Sequence, residues 1–93
     1  MTDDSSQTPA PLITFPCLFP LTIIGKNEAG FQTSITTIVR RHVPDMDEDR
    51  FHLRHSSQGN YLSMRIVFWA ESREQVDNLY RELGSHPQVK MLL

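Results

Sequence analysis

The chain is poor in the residues that usually announce chemistry. Its 93 residues include a single cysteine, Cys17, so no internal disulfide can form. No His, Lys or Arg adjoins Cys17 in sequence, and thiolate chemistry needs an electropositive neighbour. Cys17 is therefore expected to be an inert, packed side chain. No apolar run approaches the roughly 18 residues that cross a bilayer. Met1-Thr2-Asp3-Asp4 is acidic where a signal peptide would be basic and then apolar, so a cytoplasmic protein is expected. Neither sign of charge is in large excess. The net charge is −2, from 11 acids and 9 bases, and Asp3 with Asp4 accounts for the difference. A nucleic-acid binder usually shows a basic excess. This chain would have to gather its cations on one face.

What is present is pattern. Residues 1–14 carry Ser5, Ser6, Thr8, Pro9 and Pro11. They bury too little apolar area to offset chain entropy and are expected to form a disordered tail. Residues 15–93 are then one domain, with no room for a second.

Phe19-Pro20-Leu21-Thr22-Ile23-Ile24 alternates, which predicts a first strand with Phe19, Leu21 and Ile23 inward. Pro20 lacks a ladder donor and is expected at the strand's start; Gly25 ends it. Phe31, Ile35, Ile38, Val39 and His42 follow helical spacing. Asn27 is the expected N-cap, with Glu28 in the first turn. Arg40, Arg41 and His42 suit the last turn, and Pro44 stops the helix. Phe51-His52-Leu53 and Tyr61 to Ala70 predict two strands joined by a two-residue turn at Gln58-Gly59. That register sets Leu53 against Met64, His52 against Arg65 and Phe51 against Ile66. It turns Phe51, Leu53, Leu62, Met64, Ile66 and Phe68 inward, and a one-residue slip would put them all into water. Ser72-Arg73-Glu74-Gln75 is a capping-box pattern. Val76, Leu79, Tyr80 and Leu83 form the stripe of a second helix, with Gly84 as its stop and Pro87 beyond. Val89, Met91 and Leu93 alternate as a fourth strand.

Each helix has one apolar stripe and each strand one apolar face. The economical solution is an α+β two-layer sandwich, one antiparallel sheet with both helices on the same side. Right-handed crossovers then give a ferredoxin-like βαββαβ domain with strand order 4-1-3-2.

A family resemblance points the same way. Ser56-Ser57, Gly59-Asn60-Tyr61, Ser63, Glu74-Gln75-Val76, Leu79-Tyr80, Glu82-Leu83-Gly84 and the ending Val89, Met91, Leu93 resemble the YbeD-like family of uncharacterised bacterial proteins. Phe15-Pro16, Gly25, Arg41-His42 and Pro44 fit it too. The resemblance covers residues 15–93. It implies a ferredoxin-like fold similar to ACT regulatory domains. It also implies a link to lipoate metabolism, because members often lie beside lipoate-attachment genes. The acidic loop around Asp47 and Pro20 in strand one depart from the family pattern.

Most chemistry-bearing residues lead nowhere. Asp45, Asp47 and Asp49 have calcium-loop spacing, but the required Gly and Glu positions hold Arg50 and Ser56. A solvated acidic loop is expected. His52 and His55 lie three apart on a strand and so face opposite ways. His42 and His86 sit at a helix end and before Pro87. No metal site and no cofactor are expected. Ser56, Ser57 and Ser63 have no His–Asp arrangement. The loop Gly25 to Gly30 lacks the Arg of an acylphosphatase-like phosphate cradle. The chain is therefore read as a non-enzyme.

Two surfaces remain. Asn27-Glu28-Ala29-Gly30-Phe31 resembles the start of an ACT domain's first helix, where free N–H groups bind a carboxylate. Asn27, Gly30 and Phe31 are the candidate residues there, with a small metabolite as ligand. The uncovered sheet face is expected to carry Thr22, Ile24, Arg50, His52, Arg54, Tyr61, Ser63, Arg65, Val67, Trp69, Lys90 and Leu92. Its candidate contact residues are Arg50, His52, Arg54, Tyr61, Arg65 and Trp69. Trp, Tyr and Arg are typical interface anchors, so a protein partner or a homodimer is expected. The alternative is an RNA-binding sheet. It ranks second because Asn60-Tyr61-Leu62-Ser63-Met64-Arg65 lacks the RNP1 pattern.

Overall fold

The local patterns become four strands and two helices in a computed structural model that describes residues 14–93, apart from the Glu48 side chain. The expected tail falls, but for its last residue, outside the described residues. In chain order the elements are β1 (Cys17–Lys26), α1 (Phe31–His42), β2 (His52–His55), β3 (Tyr61–Ala70), α2 (Arg73–Gly84) and β4 (Val89–Leu92). The sheet order is β2-β3-β1-β4, all antiparallel. This is the expected order. No helix among the described residues is long and apolar enough to cross a membrane.

Period-two burial fixes the sheet's inner face. Leu21 and Ile23 of β1 and Leu62, Met64, Ile66 and Phe68 of β3 are buried. Phe31, Ile35, Ile38 and Val39 of α1 and Val76, Leu79 and Leu83 of α2 close over them. Phe19 packs on this core, with its ring 5.9 Å from Phe68 and edge-on to Tyr80 at 6.3 Å.

Several local expectations are corrected. Pro20 is not at the start of β1; it is the fourth residue, opposite Val67. Thr22 bonds to Leu93 through both its N–H and its C=O, so even-numbered residues there point their backbone groups toward β4. Pro20 is one such position past the last β4 bond, where no acceptor among the described residues waits for an N–H.

Asn27 is not the N-cap of α1. Gly30 takes that place with φ 86°, and no side chain caps the helix. Asn27 instead donates from Nδ2 to the Gly59 carbonyl at 2.9 Å and from its backbone N–H to Asn60 at 2.9 Å. It is spent on fastening β1 to the β2–β3 loop. Glu28 lies before the helix, and its carboxylate accepts from Gln88 Nε2 at 3.1 Å.

The β2–β3 register is the expected one, with His52 opposite Arg65 and Leu53 opposite Met64. The loop is wider than a two-residue turn. Ser56 N–H bonds to Tyr61 O, and Gly59, at φ 75°, closes a turn back onto Ser56 O. Phe51 is buried just ahead of β2. Leu53 shares a face with Met64 but stays 41% exposed, because β2 is an edge strand beyond the helices' reach.

The acidic loop is not simply solvated. Met46 within it is buried in the core, and a short 3-10 turn, Glu48–Arg50, follows. The cap of α2 is close to the predicted box. Ser72 Oγ accepts from Gln75 N–H at 3.2 Å, while Gln75 Oε1 accepts from Glu71 N–H rather than from Ser72. Such a cap is worth about 1 kcal/mol. Gly84 is the last helical residue of α2, and Ser85 is the C-cap.

The largest correction concerns β4. Ile24 pairs with Met91, but Gly25 pairs with Val89, so a bulge lies between them. The extra residue reverses the faces beyond it. Leu92 packs against the core, and Met91 and Leu93 emerge on the open side. This is the reverse of the expected alternation at that end.

Candidate functional site

The face of the sheet away from the helices is built by the other half of each alternation. Cross-strand neighbours lie on the same face. The rows on this face can be followed from one end. Leu18 is opposite Trp69, and Pro20 is opposite Val67. The next row runs Leu93, Thr22, Arg65, His52. The next runs Met91, Ile24, Ser63, Arg54, and the last is Lys26 with Tyr61.

The structure therefore brings together His52, Arg54, Tyr61, Arg65 and Trp69 of the expected contact set. Arg50 does not join them in a strand; it closes the 3-10 turn before β2. Leu92 leaves the face for the core, and Lys90 sits exposed where the bulge interrupts pairing. Five members were missing from the sequence reading: Leu18, Pro20 and Lys26 of β1, and Met91 and Leu93. The even-numbered alternation of strand one already holds Pro20, and extending it reaches Leu18 at one end and Lys26 at the other. Nothing comparable marks Met91 and Leu93, because Val89, Met91, Leu92 and Leu93 are apolar on both parities.

Exposure and charge give this face its character. Leu18, Trp69, Met91 and Leu93 are each more than half exposed, at 63%, 51%, 51% and 64%. The basic side chains in its rows are Lys26, His52, Arg54 and Arg65, with no acid. None of them is ion-paired among the described residues; the pairs there are Arg41 and His42 with Glu82, and Arg73 with Asp77. A trough of about 490 Å³ crosses the middle of the face. Thr22, Ile24 and Leu93 line one side, and His52, Arg54 and Arg65 the other. Trp69 and Tyr61 stand at opposite ends of β3, eight residues or about 26 Å apart. They do not form the contiguous pair of rings on which neighbouring bases stack.

The turn into α1 is arranged differently from the face. Phe31 points into the core, with its ring under Gly25, and its N–H bonds to Glu28 O at 3.1 Å. Gly30 is open to approach, with nothing within 4 Å of where its Cβ would lie. Asn27, Lys26, Glu28, Asn60 and Tyr61 border a shallow groove of about 380 Å³. Of the three candidates at this turn, only Asn27 borders it.

The other titratable groups have structural settings. His52 and His55 face opposite sides of β2, as Arg65 and Leu62 are their partners. Among the described residues no three His, Cys, Asp or Glu side chains come together. Glu82 of α2 accepts from His42 Nε2 at 2.7 Å and from Arg41, tying the ends of the two helices. Gln75 Nε2 adds a bond to the His42 carbonyl at 2.8 Å. The bond from His42, and then Arg41, holds the Glu82 carboxyl below its ordinary value. A depressed folded-state pKa stabilises above the unfolded value and is lost as pH falls through the folded one. Glu82→Gln is expected to cost a little stability at neutral pH, and the gap from wild type should close in acid. Urea unfolding at pH 7 and pH ~3 checks this; a gap that widens in acid would contradict it.

A four-stranded antiparallel sheet with two helices on one side and a bare face on the other defines an ACT-like, ferredoxin-fold domain. Solved structures share it. The solution structure of protein HP0495 from H. pylori aligns with TM-score 0.67 at 15% identity, over 100% of this chain and 94% of that one. The ACT domain from GTP pyrophosphokinase of Chlorobium tepidum aligns with TM-score 0.58 at 14% identity, over 82% of this chain and 94% of that one. At such identities the likeness shows the fold alone.

The chain belongs to the family described as "Protein of unknown function (DUF493)", which matches residues 10–93. UPF0250 protein NE1487 of Nitrosomonas europaea is 44% identical over 87 residues, covering 94% of this chain and all of the relative. A UPF0250 protein of Chromobacterium violaceum is 43% identical over 93 residues, the whole of both. The YbeD-like resemblance read from the sequence is consistent with this membership.

Proposed function

We propose that this protein is a non-enzymatic interaction module that engages another protein through the open face of its sheet. The observation that carries this reading is the exposure of Leu18, Val67, Trp69, Met91 and Leu93 on one face. Scattered apolar residues need no explanation, but a clustered patch rimmed by polar groups marks an interaction site. Trp69 is the natural anchor, since large aromatic side chains dominate interface energetics. A regulatory role, and the tie to lipoate metabolism, rest on family likeness. Their structural counterpart is the groove beside Asn27, where lipoate or an amino acid would be the ligand. Titration calorimetry with both classes tests that branch, and silence at millimolar concentration ends it.

The interaction reading is tested by affinity capture from the native cell. Wild type, Trp69→Ala and the helix-side control Arg73→Ala are compared. A partner retained by wild type and the control but lost with Trp69→Ala is the expected result. Empty captures together with a strict monomer in sedimentation would overturn the reading.

A further inference from the structure

On its β2 and β3 side the open face is polarised along the strand axis. Its cationic end holds Arg54, then His52 beside Arg65. Its apolar end holds Val67, then Trp69 beside Leu18. From the Ser63 row to the Trp69 row is six residues, about 20 Å. Residues 15–93 hold equal numbers of acids and bases, yet all nine acids lie outside the rows of this face. They sit in the turn before α1, in the acidic loop, and in α2 with its approach. The separation of charge is therefore a property of the fold, not of the composition.

We propose that this face takes an extended acidic segment of another protein, with two acids followed at alternate positions by two large apolar residues. The proposal rests on the interaction reading above and names the partner's chemistry. Alternate residues of an extended chain are about 6.8 Å apart, the same as His52 and Arg54 along β2. A segment lying along the strand axis sets one carboxylate over Arg54 and the next over His52 and Arg65. The following inward positions then reach Val67 and Trp69. Arg supports this pairing because its planar fork meets a carboxylate with two donors. Nucleic acid would supply the negative charge but finds its two aromatic platforms too far apart. A second copy of the chain would set a cationic face against a cationic face.

The test pans a library of random linear peptides against the full chain, with Trp69→Ala and Arg54→Glu/Arg65→Glu panned in parallel. Circular dichroism confirms that both variants fold. Enrichment of acid-x-acid-x-apolar-x-apolar patterns, in either direction, is expected for wild type. A selected peptide should bind about tenfold more weakly or worse to the double charge reversal. It should also weaken several-fold between about 0.05 M and about 0.3 M salt. Binders that are neutral or basic yet lost with Trp69→Ala would overturn the acidic partner while keeping the interaction face. Binders indifferent to Trp69→Ala would overturn both. Tighter binding of a fluorescein-labelled single-stranded oligouridine, lost with the same charge reversal, would overturn the peptide in favour of RNA. A wild-type dimer that Trp69→Ala dissociates would overturn it in favour of self-association.

Discussion

Replacing Gly25 by alanine is expected to lower the folding stability by about 3 kcal/mol, a severe loss for a domain of this size. The reason is space, not backbone conformation. Gly25 lies in β1 directly over the Phe31 ring. A Cβ there would come within 2.5 Å of two ring carbons and would also collide with the Gln88 carbonyl oxygen. Neither can step aside cheaply. Phe31 is fully buried, and Gln88 belongs to the backbone leading into β4. Relief would require α1 to lift or the β1–β4 bulge to reform. Urea unfolding followed by circular dichroism should show a midpoint lower by at least about 1 M, given the usual slope for small proteins. Gly84→Ala is the control. Nothing lies within 4 Å of its Cβ position, and the residue is helical, so alanine should be neutral or stabilising by up to about 1 kcal/mol. A Gly25→Ala protein as stable as wild type would show that the close approach of β1 to Phe31 is wrong.

Phe68→Ala and Trp69→Ala should differ more than any other pair of neighbours in the chain. Phe68 is 1% exposed, buried in the core beside its cross-strand neighbour Phe19, and its truncation should cost about 3–5 kcal/mol. Trp69, the next residue, faces outward, and its truncation should cost less than about 1 kcal/mol. The same unfolding experiment reads both, again by circular dichroism because Trp69 is the only tryptophan. The contrast tests the register itself. A strand slipped by one residue would exchange the two outcomes.

How far these features were legible differs from element to element. Strand β3 and helix α2 were readable almost to their ends, because their periodicity is long and their caps are local. The candidate face was readable where it lies on β2 and β3, since His52 opposite Arg65 follows from the hairpin's length and apolar pattern. Pro20 misled because its rule concerns a missing donor, and whether a donor is needed depends on where β4 stops. Asn27 misled because a capping residue and a loop-fastening residue look alike in sequence. Its choice was made by the Gly59 and Asn60 carbonyls, which arrive from more than thirty positions away. Leu53 has the right parity for the core, yet the helices do not extend over the sheet edge where it lies.

The sequence by itself determined the order of the elements, the identity of nearly all the inward residues of β1 and β3, and the absence of any cysteine partner or long apolar run. These follow from periodicities of two and 3.6 and from composition, which are local and additive. Only the tertiary structure decided which apolar residues of β4 face solvent, that Met46 anchors the acidic loop, and that the cations of β1, β2 and β3 gather on one face while the acids do not. The bulge, the edge and the gathering of charge all depend on which strands become neighbours. That choice is made by the pairing of distant segments, which no single window of the chain contains.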